Sequence, residues 1–83
     1  MTVLYFARLR DEIGTSEERL DPPAHVKTVG DLVAWLRDRS DGHAHALGPG
    51  TMLKVAVNQT YVDLGAPFSA SDEIAIFPPV TGG

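Results

Sequence analysis

One segment of the chain carries a clear helical pattern, and strand-like segments lie on both sides of it. Its apolar residues recur at the i, i+3, i+4 and i+7 spacing of one helix face: Val29, Leu32, Val33 and Leu36. Thr28 precedes them and Asp31 follows three residues later, which is a capping-box pattern at a helix start. We expect the helix to end near residues 40–42, since Asp41-Gly42 is a stop signal. The chain therefore has one main helix with one apolar face to bury.

Five shorter segments have the composition of β-strands, namely residues 1–8, 16–20, 53–57, 61–62 and 73–77. A short helical turn is predicted over residues 9–13, capped by Gly14. Asn58 is expected in left-handed geometry in the tight turn before the fourth strand. This order predicts an α+β fold in which one main helix lies across one mixed sheet of about five strands.

The size and charge of the chain exclude several classes of function. Its 83 residues carry a net charge of -4, so no basic face is available for nucleic acid. Cysteine is absent, which excludes disulfides, thiolate metal sites and a cysteine nucleophile. The longest apolar run, residues 3–7, is far shorter than the ~20 residues of a membrane helix. We expect a cytoplasmic single domain with no membrane contact, and a carrier or binding role rather than a self-sufficient enzyme.

Both faces of the first and last strands are apolar, although a single helix covers only one face of a sheet. One set of alternating residues is expected to form the core: Val3, Tyr5, Ile74 and Ile76. The other set, Leu4, Phe6 and Phe77, then contributes to a surface that faces a partner. The alternative is that Phe6 and Phe77 are buried in the core.

The ending Phe77-Pro78-Pro79-Val80-Thr81-Gly82-Gly83 suits a chain whose terminal carboxylate reacts. Pro78 ends the last strand because it cannot donate to a ladder. Terminal glycines have no Cβ and can enter a channel too narrow for side chains. The simpler alternative is that Gly-Gly is a frayed end. A domain over residues 1–79 with a flexible tail over 80–83 is the predicted organisation.

Several segments resemble the family of molybdopterin synthase small subunits, which are sulfur carriers with the ubiquitin-like β-grasp fold. They are Ala56-Val57-Asn58-Gln59-Thr60, Asp72-Glu73, the PPVTGG ending, and Tyr5-Phe6-Ala7 followed by Arg10 and Gly14. The turn over residues 69–73 departs from the family pattern, because it lacks a glycine just ahead of the Asp-Glu pair. The geometry of that turn is therefore left open.

The resemblance implies a non-catalytic sulfur-donor subunit that binds no cofactor of its own. A ubiquitin-activating-like adenylyltransferase uses ATP to adenylate Gly83, and a sulfur-donor protein then supplies the sulfur of a thiocarboxylate. The large subunit of molybdopterin synthase holds the active site, where this sulfur attacks cyclic pyranopterin monophosphate. Val80, Thr81 and Gly82 thread into that site, and two small and two large chains form a heterotetramer.

The resemblance also assigns partner contacts to five residues: Phe6, Arg10, Phe77, Pro78 and Pro79. Arg10 is alternatively a solvated charge in a turn. Other sulfur acceptors remain open, including those of thiamine synthesis, tRNA thiolation and cysteine synthesis. A non-covalent binding module and a protein modifier linked to lysines are further alternatives.

Other residues with chemical potential have simpler roles. His43 and His45 lack a third convincing ligand and are expected as exposed loop side chains, so no metal site is predicted. Trp35 lies beside the apolar stripe of the helix and is expected to pack partly buried. Ser69, Ser71 and Thr81 have no positioned base that would make them nucleophiles.

Overall fold

A computed structural model describes residues 1–49 and 52–78 as five strands and three helices. In chain order they are β1 (Thr2–Tyr5), α1 (Arg8–Ile13), β2 (Glu17–Arg19), α2 (Val29–Arg37), α3 (Asp41–Ala46), β3 (Lys54–Val57), β4 (Thr60–Val62) and β5 (Glu73–Phe77). The sheet order is β2-β1-β5-β3-β4. The first and last strands are parallel neighbours, and the other pairs are antiparallel. The predicted α+β fold with a mixed five-stranded sheet is confirmed.

The core lies between the sheet and α2, on the face that strand alternation predicts. The expected four residues of β1 and β5, Val3, Tyr5, Ile74 and Ile76, are buried, and Ala75 on the other face of β5 is buried as well. The expected four form one cluster with the buried stripe of α2, which is Val29, Leu32, Val33 and Leu36. Trp35 packs against this cluster partly buried, as expected. The same local patterns that predict each element therefore also predict which side of it is buried.

The main helix begins where the sequence indicates. The Thr28 hydroxyl accepts a hydrogen bond from the Asp31 N–H at 3.1 Å, and the Asp31 carboxylate accepts one from the Thr28 N–H at 3.2 Å. These two bonds form the predicted capping box and satisfy amide donors that have no partner within the helix.

The end of α2 and the segment that follows differ from the prediction. The helix ends at Arg37, before residues 40–42, and Ser40 starts α3 by accepting a hydrogen bond from the His43 N–H at 3.1 Å. The expectation of a loop around His43 and His45 was wrong, because serine and aspartate begin helices as readily as they follow them. None of the helices in the described part of the chain is long and apolar enough to cross a membrane.

The backbone geometry of two turns bears on the sequence predictions. Asn58 has the predicted positive φ of 49°, and Gln59 shares it with a φ of 71°. In the turn before β5, the Asp72 carboxylate accepts the Ser69 N–H at 2.8 Å, and the Asp72 N–H donates to the Ser69 carbonyl at 3.0 Å. No residue from 69 to 73 has a positive φ, so this turn needs no glycine.

Candidate functional site

The face of the sheet opposite the helices carries an apolar surface, which we call the outer face. It comprises Leu4, Phe6, Ala56, Tyr61, Ala75 and Phe77. Leu4 pairs with Ala75, Ala75 with Ala56, and Ala56 with Tyr61, so these four side chains form one row across the sheet. Because strand side chains alternate, Phe77 lies two positions along β5 on the same face. The sequence prediction that Phe6 and Phe77 lie opposite the core is confirmed.

Three aromatic rings cluster at one end of the outer face. The ring of Phe6 stacks on that of Phe77, with centroids 4.5 Å apart and planes 12° apart. Tyr61 meets Phe77 edge-on at 5.8 Å. Phe6 is 40% exposed and Tyr61 is 66% exposed. Clustered, partly exposed aromatic side chains are typical of surfaces that proteins bury against a partner, because covering them releases water from apolar area.

Small side chains beside the rings leave a shallow groove of about 370 Å³. Ala56 and Ala75 form its floor, while Gln59 and Glu73 lie at its polar end. The groove is therefore apolar along its floor and walls and polar at one end.

Two of the remaining predicted site residues, Arg10 and Pro78, are described by the structure. Pro78 directly follows Phe77 at the end of β5. Arg10 is exposed on α1, and its Nε lies 3.9 Å from the Asp11 carboxylate. The predicted tail residues Pro79, Val80, Thr81, Gly82 and Gly83 lie outside the described residues.

A polar cluster on the helical side of the sheet was missed by the sequence interpretation. Glu18 on β2 accepts a hydrogen bond from the Tyr5 hydroxyl at 2.8 Å and contacts His43 Nε2 at 2.6 Å. The other ring nitrogen of His43 lies 2.7 Å from the Ser40 hydroxyl, and Arg39 approaches Glu18 at 3.5 Å. The prediction of an exposed His43 was therefore wrong, since its side chain is buried against β2. The Ser40-x-x-His43 spacing was the available signal for a helix start.

Charge in this cluster favours the ionised form of Glu18. Burial acts to raise the pKa of Glu18, but hydrogen bonds from His43 and Tyr5 outweigh it and lower that pKa below its usual value. Burial, together with the neighbouring Glu18 carboxylate, raises the pKa of the Tyr5 hydroxyl. The cluster links α3 to β1 and β2, on the opposite side of the sheet from the outer face.

The arrangement does not supply a metal site among the residues described. His45 is exposed, as predicted, but it lies on α3 rather than in a loop. Within residues 1–49 and 52–78, no group of three or more histidine, aspartate or glutamate side chains converges to hold an ion.

The fold and the outer face together define the class of this protein. Parallel first and last strands at the centre of a mixed sheet, with a helix across one side, are the ubiquitin-like β-grasp architecture. The chain belongs to the ThiS family, whose model matches residues 3–83. The family resemblance seen in the sequence is thereby confirmed.

Comparisons with individual proteins agree with this assignment. The molybdopterin synthase sulfur carrier subunit of Escherichia coli strain K12 is 43% identical over 81 residues, covering 98% of this chain and 96% of that protein. The small archaeal modifier protein 1 from Methanosarcina acetivorans has a TM-score of 0.75 at 28% identity, covering 99% of this chain and 94% of that one. A chain in the complex of subunits 1 and 2 of molybdopterin-converting factor from Helicobacter pylori 26695 has a TM-score of 0.66 at 25% identity, covering 99% and 96%.

Proposed function

We propose that this chain is the sulfur-carrier small subunit of a molybdopterin synthase. The observation that carries the proposal is its 43% identity, over nearly the full chain, to a protein of that name. The outer face adds physical support, because an exposed aromatic surface lies at the strand end from which the Gly-Gly ending continues.

Docking on the large subunit takes place through the outer face. Phe6 and Phe77 supply rigid aromatic area, and the groove over Ala56 and Ala75 receives an apolar side chain of the partner. The related Helicobacter pylori protein was solved as a complex of subunits 1 and 2, which supports a partner of this kind. Arg10, Pro78 and Pro79 extend the contact, and two small and two large chains assemble.

The reacting group of the carrier is the carboxylate of Gly83. On a separate adenylyltransferase, a carboxylate oxygen attacks the α-phosphate of ATP and pyrophosphate leaves. Sulfur at the oxidation level of sulfide, delivered by a donor protein, then attacks the Gly83 carbonyl carbon, and the bond to AMP breaks, which leaves a thiocarboxylate and free AMP. Val80, Thr81 and Gly82 carry this group into the large subunit, where its sulfur attacks cyclic pyranopterin monophosphate. The chain itself binds no cofactor, and glycine at position 82 keeps the approach narrow.

Reconstitution with purified components tests this function. Thiocarboxylated chain mixed with its large subunit should convert cyclic pyranopterin monophosphate to molybdopterin without ATP, whereas the isolated thiocarboxylate should not. Gly82→Val should block turnover, because a β-branched side chain stiffens and widens the tail. Gly65→Ala is the matched control, since a Cβ there meets no atom within 4 Å. Lack of conversion by the charged wild-type complex would move the assignment to another sulfur acceptor.

A protein modifier is the second candidate, and the similarity to small archaeal modifier protein 1 favours it. In that case activated Gly83 forms an amide with a lysine of another protein. Tagged chain expressed with its activating enzyme distinguishes the two functions. Covalent conjugates without pterin conversion would support the modifier, while a carboxylate oxygen replaced by sulfur in the intact mass would support the carrier.

A further inference from the structure

Two side chains of opposite charge lie at opposite ends of the outer face. Glu73 lies at the polar end of the groove. Lys54 is the cross-strand partner of Phe77, so its side chain shares the outer face with the aromatic rings. Because Glu73 and Phe77 lie at the two ends of β5, the two charged positions are roughly 13 Å apart along the strands. The apolar surface between them therefore has a cationic end beside the rings and an anionic end.

Neither of these charges is neutralised within the described part of the chain. The Nζ of Lys54 lies 5.9 Å from the centroid of the Tyr61 ring, whose negative face attracts the ammonium group. Asp63 lies near Lys54 beside β4. However, none of the ion pairs within 4.0 Å among the described residues includes Lys54 or Glu73. Both side chains are therefore available to charged groups of another molecule.

The other charges on the strands of this face do not alter the polarity. Glu17 and Arg19 of β2 share the face through their pairing with β1. They carry opposite charges, lie two residues apart on the edge strand, and do not line the groove. A partner that covers the groove and the rings thus meets Lys54 at one end and Glu73 at the other.

We propose that Lys54 and Glu73 orient the large subunit on the outer face, with a carboxylate of that partner paired to Lys54 and a cationic side chain paired to Glu73. This inference rests on the proposed function, since it requires that the outer face binds the large subunit. A covered lysine that gained no anion would lose hydration without compensation, because Phe77 and Tyr61 offer it no carboxylate. Two opposite charges also exclude the reversed orientation, in which like charges would face each other.

Neutralising each charge tests this inference. Lys54→Met and Glu73→Gln keep most of the side-chain length, and the turn contacts of Glu73 use only its backbone. Affinity for the large subunit, measured by titration calorimetry at low salt, should fall roughly three- to tenfold in each variant. Added sodium chloride should weaken binding less in these variants than in the wild type. Lys27→Met is the matched control, because it removes the same charge from an exposed position ahead of α2 and should leave affinity and salt dependence unchanged.

A double charge reversal separates orientation from net charge. Lys54→Glu combined with Glu73→Lys keeps the net charge at -4 but inverts the polarity of the face. Its affinity should fall roughly thirtyfold or more, because two attractive pairs become repulsive. Melting temperatures close to the wild-type value would show that these variants are folded.

The inference and the proposed function fail on different results. Wild-type affinity in the double variant or in either single variant would overturn the orienting role, as would equal losses in Lys54→Met and Lys27→Met. Binding by the wild type would leave the proposed function intact in each of these cases. No binding of the wild type to the large subunit would overturn the proposed function and, with it, the role of Lys54 and Glu73.

Discussion

Replacing Phe77 by alanine separates docking from folding, because Phe77 and its neighbour Ile76 lie on opposite faces of β5. Ile76 is fully buried, so Ile76→Ala should lower the free energy of unfolding by about 2–5 kcal/mol. Phe77 is half-buried, and its main packing partner is the stacked ring of Phe6. In Phe77→Ala, the loss of that stack and of the apolar area that Phe77 buries within the protein should lower the free energy of unfolding by about 1–2.5 kcal/mol.

The binding cost of Phe77→Ala should exceed its folding cost. Aromatic residues at the centre of an interface contribute about 2 kcal/mol or more to binding, which corresponds to a loss of affinity of roughly thirtyfold. Urea denaturation followed by Trp35 fluorescence gives the free energy of unfolding, and titration calorimetry with the large subunit gives the affinity. If Phe77→Ala lowered the free energy of unfolding as much as Ile76→Ala does, Phe77 would belong to the core. Unchanged affinity would show that the outer face is not the docking surface.

Three further predictions concern the scaffold, and Gly65→Ala serves as the control for the first of them. Gly42→Ala should lower the free energy of unfolding by about 1–3 kcal/mol, since its Cβ would lie 2.5 Å from the Glu12 carbonyl of α1. Gly65→Ala, which meets open space, should change it by less than about 0.5 kcal/mol in the same denaturation assay. Hydrogen bonds lower the pKa of folded Glu18 below 4.5, so its stabilisation is present above that pH and lost as the pH falls through the folded pKa. Below about pH 4.5, the free energy of unfolding should therefore fall less steeply with decreasing pH in Glu18→Gln than in the wild type. The same pH dependence in both proteins would refute the assignment. Thr28→Ala should lower the free energy of unfolding by about 0.5–2 kcal/mol, whereas Thr28→Ser should keep most of the stabilisation, because serine can accept the same capping hydrogen bond.

Local patterns were sufficient for much of the fold. The start of α2 follows from Thr28 and Asp31, because capping hydrogen bonds form between residues three apart. The bounds of β5 follow from an apolar run closed by Pro78, which cannot donate to a ladder. The placement of Phe6 and Phe77 opposite the core follows from strand alternation and from the presence of one main helix.

Long-range contacts decided what those patterns left open. The sequence indicates that Phe6 and Phe77 share a face, but their 4.5 Å stack exists because β1 and β5, from opposite ends of the chain, pair in parallel. Long-range contacts also decided α3, because its sequence is compatible with the end of one helix or with the start of another. His43 reaches Glu18 on β2, and Gly42 permits close approach to α1, so tertiary packing selects the helix. Short-range hydrogen bonds and side-chain periodicity are encoded within a few neighbouring residues, whereas ring stacking and helix docking depend on distant segments that meet only in the folded chain.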